Sequence, residues 1–401
     1  MVNTTPQVSS GKSRPEIDLL LSCASCHLDS SRTERIKALT RGEIDWPSVL
    51  RAALAHRVMP LLYKSLNTAR PDNVPQAVSK QLQSHYYANA AHNLLLAGEL
   101  LKILRLLEGH NLPAIPYKGP VLAASIYGNV ACREFADLDI LVRERDYDRA
   151  QHLLISQDFR LVKEFDWEST FVDTRGRVAV DLHRGMAARE FPCPLAFEYL
   201  AGRLQPVNLV GTTAATLCPE DNLLMLAIQI SKDSGSRYLQ LAKVCDIAEL
   251  VRVYPHLDWA QVLRQARRLG GERMLLYSLR LANNLLGTVL SQEVVCAIGL
   301  HPAIDGLVEY ARRQLFDQGD RTVVDQPTVD QFRWLVRERL RDKLYPYYLR
   351  YVMDVIVPCE LDRRLLRLPG RLSFLYFLMR PARLVGKYGL LLAKSKKHSV
   401  G

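Results

Sequence analysis

Phe135-Ala136-Asp137-Leu138-Asp139-Ile140-Leu141-Val142 alternates acidic with apolar residues and is rich in branched side chains. The pattern predicts a β-strand over Asp137 to Val142, with successive side chains on opposite faces. Asp137 and Asp139 then share one face, while Leu138, Ile140 and Val142 point into a core. Two carboxylates side by side repel, so ionising both is costly. A divalent cation removes that cost, and magnesium takes oxygen ligands from carboxylates and substrate phosphates. The bland alternative is an edge strand with two acids on its wet face.

Two further stretches bear on the choice. Val178-Ala-Val-Asp181-Leu-His183 sets a third acid among apolar residues, with Asp181 and His183 on one polar face. If this strand lies beside the first, Asp137, Asp139 and Asp181 form one cluster. His183 then orients Asp181, touches an acceptor or simply ends the strand. Upstream, Tyr117-Lys118-Gly119-Pro120 sits where a strand passes into a helix. Free N–H groups at a helix start favour an anion, Gly119 lets a phosphate approach the backbone, and Lys118 adds charge. Lys232 and Asp233 follow an apolar helix and are candidates to reach the cleft from a later segment. Glu134 reads as a loop charge. Asp246, in an apolar helical run, needs an internal partner.

Lys118-Gly119, Leu122-Ala123, Tyr127-Gly128, Arg133 and Asp137-Leu-Asp139-Ile-Leu-Val142 together resemble the signature of the uncharacterised bacterial nucleotidyltransferase family. That family lies within the polymerase-beta-like nucleotidyltransferase superfamily. The likeness extends in order through Asp45-Trp46, His56-Arg57-Val58 and Leu241-Ala-Lys-Val-Cys-Asp246-Ile-Ala to Leu366-Arg-Leu-Pro369, Leu375-Tyr376 and Arg380-Pro381. It implies an α+β fold, a small mixed-sheet nucleotidyltransferase core flanked by helical segments on both sides. It implies transfer of a nucleoside monophosphate from a nucleoside triphosphate (NTP) to an acceptor hydroxyl, with Mg2+ or Mn2+ and loss of pyrophosphate. Asp137, Asp139 and Asp181 would be the metal ligands and catalytic acids. Lys118, Gly119 and Arg133 would bind the nucleotide. Pro120 departs from the pattern, standing where a small hydroxyl residue is usual; it offers a phosphate neither N–H nor hydroxyl. Phosphate binding then falls to Lys118 and Arg133. Peptide, protein, small metabolite and RNA are all open as acceptors. The alternative is a non-catalytic nucleotide- or partner-binding protein on the same fold, which Pro120 favours and the intact acids oppose. Asp139→Asn, which removes a like charge, is expected to leave the fold intact.

Outward from this centre, helical periodicity runs from Trp46 to Leu62, breaks at Arg70-Pro-Asp-Asn-Val-Pro75 and resumes to Gly109. A short strand is expected within Leu112 to Tyr117, then helices over Gly119 to Tyr127 and Asp146 to Gln157. Strands follow at Phe159 to Phe165, Thr170 to Asp173 and Arg177 to His183, the last two joined by Thr174-Arg-Gly176. From Pro219 the pattern is helical again. These shifts divide the 401 residues into an N-terminal helical region (1–90), the core (91–210), a helical domain (211–325) and a basic helical tail (326–401).

Residues 331–401 carry 16 Lys and Arg against 5 Asp and Glu, which is the whole net charge of +11. The tail is the candidate docking surface for an anionic acceptor or partner. Its Arg interleaved with Tyr and Phe suits RNA, or a solvated pair of helices packed on the core. Arg333, Arg337 and Arg341 are expected on one helical stripe. No apolar run reaches the roughly 18–20 residues of a membrane span. Met1 to Glu16 is polar, without a signal-peptide core, so a cytoplasmic location is expected. Eight cysteines are spread along the chain and read as reduced thiols. Cys23-Ala-Ser-Cys26-His27 matches haem attachment and half a zinc site, without the export signal or second ligand pair that these need.

Overall fold

Helix starts are set by the residues that satisfy their free N–H groups. In the computed structural model α1 (Pro15–Cys23) opens on a proline, whose fixed φ suits a first turn. α2 (Ser30–Arg41) and α3 (Trp46–Ala55) are capped by Asp29 and Asp45, which accept from the backbone N–H of Arg32 and Ser48. α4 (Met59–Ala69) follows, and α5 (Gln76–Gly109) begins straight after the Pro75 break and runs for 34 residues. The first part of α5 packs Val78 and Leu82 into a large helical core. Its later part packs Leu96, Leu100, Ile103 and Leu107 against the sheet, in a second core. One helix thereby ties both cores together. The structure describes residues 14–186, 195–236, 238–316, 329–351, 357 and 375–377.

The sheet is built from β1 (Ala114–Pro116), β2 (Asp137–Val142), β3 (Phe159–Glu164), β4 (Glu168–Asp173) and β5 (Ala179–His183), in the order β1-β2-β5-β4-β3. α6 (Gly119–Leu122), which continues as a π-helical turn over Ala123–Tyr127, lies between β1 and β2 in the chain. α7 (Tyr147–Ser156) links β2 to β3. β2 and β5 are parallel and every other pairing is antiparallel, so the sheet is mixed. The β4–β5 turn is held by Asp173, which accepts from the N–H groups of Arg177 (2.6 Å) and Val178 (2.9 Å). Leu138, Ile140, Val142, Val180 and Leu182 enter the core under α5 and α7. Strand alternation turns Asp137, Asp139, Asp181 and His183 to the other face, where Leu141 joins the helical core.

After α8 (Phe197–Ala201) comes a hairpin that the sequence reading omitted, β6 (Gln205–Leu209) and β7 (Thr212–Thr216). Its two-residue turn, Val210-Gly211, has both φ values positive, at 51° and 79°. Asn-Gly normally signals such a turn, and a branched residue hides it. α9 (Pro219–Ser234), α10 (Leu241–Val253), α11 (Trp259–Leu269), α12 (Glu272–Leu286), α13 (Gln292–Gly299) and α14 (Ala303–Phe316) complete the helical part. α15 (Val329–Val336) buries Phe332 and Val336.

The chain forms two compact units, Met1–Glu338 and Arg339–Gly401, and α16 (Leu340–Tyr351) belongs to the second. The expected arginine stripe does not form. α15 ends at Val336, and Arg337 follows its apolar face inward to 3% exposure. Most of the basic tail beyond Tyr351 lies outside the described residues. Among the described residues no single helix is long and apolar enough to cross a membrane. Cys23 and Cys26, at the end of α1, are free thiols, the first fully buried.

Asp246 finds the partner its surroundings demand. Arg133 grips it with three hydrogen bonds, Nε to Oδ1 and Nη2 to Oδ2 at 3.0 Å each and Nε to Oδ2 at 3.2 Å. The Tyr127 hydroxyl donates to Oδ1 at 2.8 Å. This buried pair pins the segment before β2 to α10. Asp246→Ala strands the guanidinium and is expected to cost about 3–5 kcal/mol in urea unfolding. A loss below about 1 kcal/mol would show that the pair holds nothing in place.

Candidate active site

The parallel pairing of β2 with β5 sets Asp139 directly opposite Asp181, and Leu141 opposite His183. The turn after β1 brings up the next group. Gly119 has φ +51°, and a Cβ there would meet the Asp137 carbonyl oxygen at 3.1 Å. Only glycine accepts both conditions without strain. With the turn so close to β2, Lys118 Nζ reaches Asp139 Oδ1 at 2.9 Å. His183 Nε2 lies 3.2 Å from the same oxygen. Its Nδ1 stands 3.4 Å from Glu168 Oε2, though not aligned as a hydrogen bond. The Tyr117 ring packs edge-on against His183 with centroids 5.3 Å apart.

The carboxylates do not share their burden equally. Burial disfavours the charge of Asp139, but the Lys118 ammonium and the His183 hydrogen bond outweigh it and hold this carboxyl well below the usual range. Asp137 has no such partner. Burial, reinforced by the charges of Asp139 and Asp181, pushes it up to about 6. Asp181 is also raised by burial. Lys118 is held above its ordinary value because the charge of Asp139 overcomes the effect of burial.

A divalent cation fits these residues. Ligand-type atoms of Asp139, Asp181 and His183 all lie within 4.8 Å of one another. Asp181 Oδ1 is buried and has no hydrogen-bond partner, a state that costs free energy unless a cation or donor meets it. Asp137 flanks the trio on the same face of β2. A second trio, Glu272, His301 and Glu338, is already committed. Arg267 pairs with Glu272, and Glu338 accepts from the N–H groups of Glu272 and Arg273 at the start of α12.

Of the residues singled out in the sequence, Asp137, Asp139, Asp181, His183, Lys118 and Gly119 are gathered at one place. Arg133 lies beside them with its guanidinium committed to Asp246. Lys232, in the last turn of α9, makes no hydrogen bond or ion pair with the acids among the described residues, and Asp233 pairs with Lys243. Glu134 is half-buried rather than a free loop charge, and burial pushes it up to about 7. Glu168 lies outside the sequence-based strand at Thr170 to Asp173, because the observed strand begins two residues earlier. The tight β4–β5 turn held the signal, since antiparallel counting back from it sets Glu168 opposite His183.

Residues 42–287, more than half of the chain, match the family described as "Uncharacterised nucleotidyltransferase". No curated protein matches the chain. Two solved structures are similar to part of it. One is the antibiotic-resistance factor ANT(2'')-Ia, with 17% identity and a TM-score of 0.31, covering 43% of this chain and 90% of that one. The other is an antigenic nucleotidyltransferase-like protein from Paracoccidioides brasiliensis, with 16% identity and a TM-score of 0.31, covering 51% of this chain and 95% of that one.

The geometry makes Asp139→Asn the costlier of the two substitutions on β2. Asp139 is the counter-charge of Lys118, whereas Asp137 is the acid whose charge is resisted. A carboxyl whose folded pKa is raised to about 6 costs stability as pH rises from 3.8 through 6, and the cost is complete above that window. In mildly alkaline buffer Asp137→Asn is therefore expected to melt at the same temperature as the wild type or higher. Asp139→Asn should lose about 1–3 kcal/mol by leaving Lys118 without its counter-charge. Thermal and urea unfolding of the two variants reads the difference, and equal losses would contradict this division.

Proposed function

Because this chain belongs to the uncharacterised nucleotidyltransferase family, it is a nucleotidyltransferase, and we propose that the acidic face of β2 and β5 is where it transfers a nucleoside monophosphate from an NTP to an acceptor hydroxyl. The observation that carries this reading is the register of Asp139 on Asp181, with Lys118 and His183 converging on one Asp139 oxygen. Asp137, Asp139 and Asp181 would hold Mg2+ or Mn2+, with a ring nitrogen of His183 in reach as a further donor. When bound, the cation supplies the positive charge that stabilises the attacking and leaving oxygens of an in-line displacement.

The protein's own groups do the rest. Lys118 neutralises Asp139 in the unliganded site and is placed to transfer its hydrogen bond to a phosphate oxygen. Gly119, lacking a side chain, lets the phosphates approach the backbone. Asp181, raised by burial, draws the acceptor hydroxyl proton with the carboxylate oxygen that the cation does not occupy. Arg133, fixed by Asp246, lowers the cost of charge on Asp137 through space and so supports nucleotide binding from behind the site. His183 orients Asp139. The acceptor is a hydroxyl on a peptide, protein, small metabolite or RNA, and residues 331–401 are the proposed docking segment for an anionic one.

The test is to incubate the protein with each NTP labelled at the α-phosphate, magnesium and a cell extract. Label is expected to pass to one acceptor fraction. Asp137→Asn, which is expected to keep the fold, should reduce the transfer roughly a hundredfold or more. Undiminished labelling by this variant would sink the assignment, and no labelling by the wild type would favour a non-catalytic binder. Metal ligands must be ionised, so the apparent Mg2+ affinity should rise as pH rises through about 6 and then level off, following Asp137. A flat affinity across that range speaks against Asp137 as a ligand.

A further inference from the structure

A pocket of about 640 Å³ opens where the end of α3, the start of α10 and the end of α14 meet. That size suits a drug- or mononucleotide-sized ligand. Its lining is cationic and aromatic: Arg51, Arg57, Lys243, His56, Tyr238 and Phe316, with no carboxylate. Lys243 is already offset by Asp233, so the excess charge belongs to the two arginines. Arg51 donates to Ser48 Oγ at 2.8 Å. The Arg57 guanidinium makes no hydrogen bond or close ion pair among the described residues, and its charge is felt by the Glu134 carboxyl.

Arg57 also sits where the backbone asks for glycine. α3 ends in a Schellman motif: Val58 N–H donates to the Ala53 carbonyl (2.9 Å) and Arg57 N–H to the Leu54 carbonyl (3.1 Å). The residue between helix and exit must be left-handed, and Arg57 has φ 56°. A side chain in that conformation is a strain that glycine would relieve. His56, the preceding residue, is buried to 7% exposure in the pocket wall. Its Nε2 donates to the Leu315 carbonyl (3.1 Å), and its Nδ1 is buried without a partner. The Phe316 ring packs against it edge-on at 5.6 Å. Tyr238, 75% exposed, leaves an aromatic face available at the mouth.

We infer that this pocket binds a small phosphorylated ligand of about mononucleotide size, its phosphate on Arg57 and Arg51 and its planar part against Tyr238 and Phe316. The site is independent of the acidic cleft and does not require that transfer occurs there. A guanidinium fork matches phosphate oxygens in pairs, and the exposed side chains of Arg51 and Arg57 can turn onto one anion at the pocket.

Calorimetric titration with AMP and with adenosine, in buffer containing EDTA and no magnesium, tests it. AMP is expected to saturate one site and adenosine to bind far more weakly. Arg57→Gly should weaken AMP about tenfold, the loss of one charge-assisted contact, while raising the melting temperature by relieving the backbone. Arg51→Ala should weaken AMP as well, and Asp137→Asn should leave its affinity unchanged. Failure of AMP to bind the wild type, adenosine binding as tightly as AMP, an unchanged affinity in Arg57→Gly, or loss of binding in Asp137→Asn would each overturn the assignment.

Discussion

The parallel ladder between β2 and β5 is the constraint on which the site depends. It sets Asp139 against Asp181 and crowds a third carboxylate, Asp137, onto the same face. Such crowding is tolerable only because the neighbouring turn answers it. Gly119 adopts a left-handed backbone and packs against the Asp137 carbonyl, and this brings Lys118 onto Asp139. His183, from the far end of β5, closes on the same oxygen. α5 and the Arg133–Asp246 pair hold these strands and the helical part in one frame.

Within that frame the three acids are differentiated by their neighbours rather than by their identity. Asp139, with a cation and an imidazole, is easily ionised; Asp137 and Asp181, with neither in hydrogen-bond contact, resist it. A site built this way stores an unmet demand for positive charge. Lys118 meets part of it, and a divalent cation would meet the rest. The same logic explains why the most tightly held acid is the structural one and the least satisfied acid the better functional probe.

Much of this was legible in the sequence because it is written locally. The alternation of Asp137 to Val142 marks β2 to the residue, the Pro75 break and Gly109 bound α5, and Trp259 to Leu269 is a helix as its periodicity requires. Asp181 and His183 were legible once β5 was placed beside β2. What escaped depends on distance or on absent signals. Arg133 and Asp246 are 113 residues apart, and nothing near Arg133 shows that its guanidinium pairs with a buried acid. The β6–β7 hairpin turns on Val210-Gly211, without the asparagine that betrays such a turn. Arg337 is drawn inward by the apolar residues beside it, which helical spacing of charges alone does not show. The left-handed backbone of Arg57 is invisible until the chain is folded.

The central claim is that the face shared by β2 and β5 is a divalent-cation site. Titration with Mn2+ in the absence of nucleotide, read by the loss of the free-ion electron paramagnetic resonance signal, measures this directly. The account predicts saturable binding by the wild type and its loss in Asp181→Asn, a substitution at the carboxylate whose buried oxygen has no other partner. Manganese binding that is equally tight in that variant would place the cation elsewhere and contradict the account.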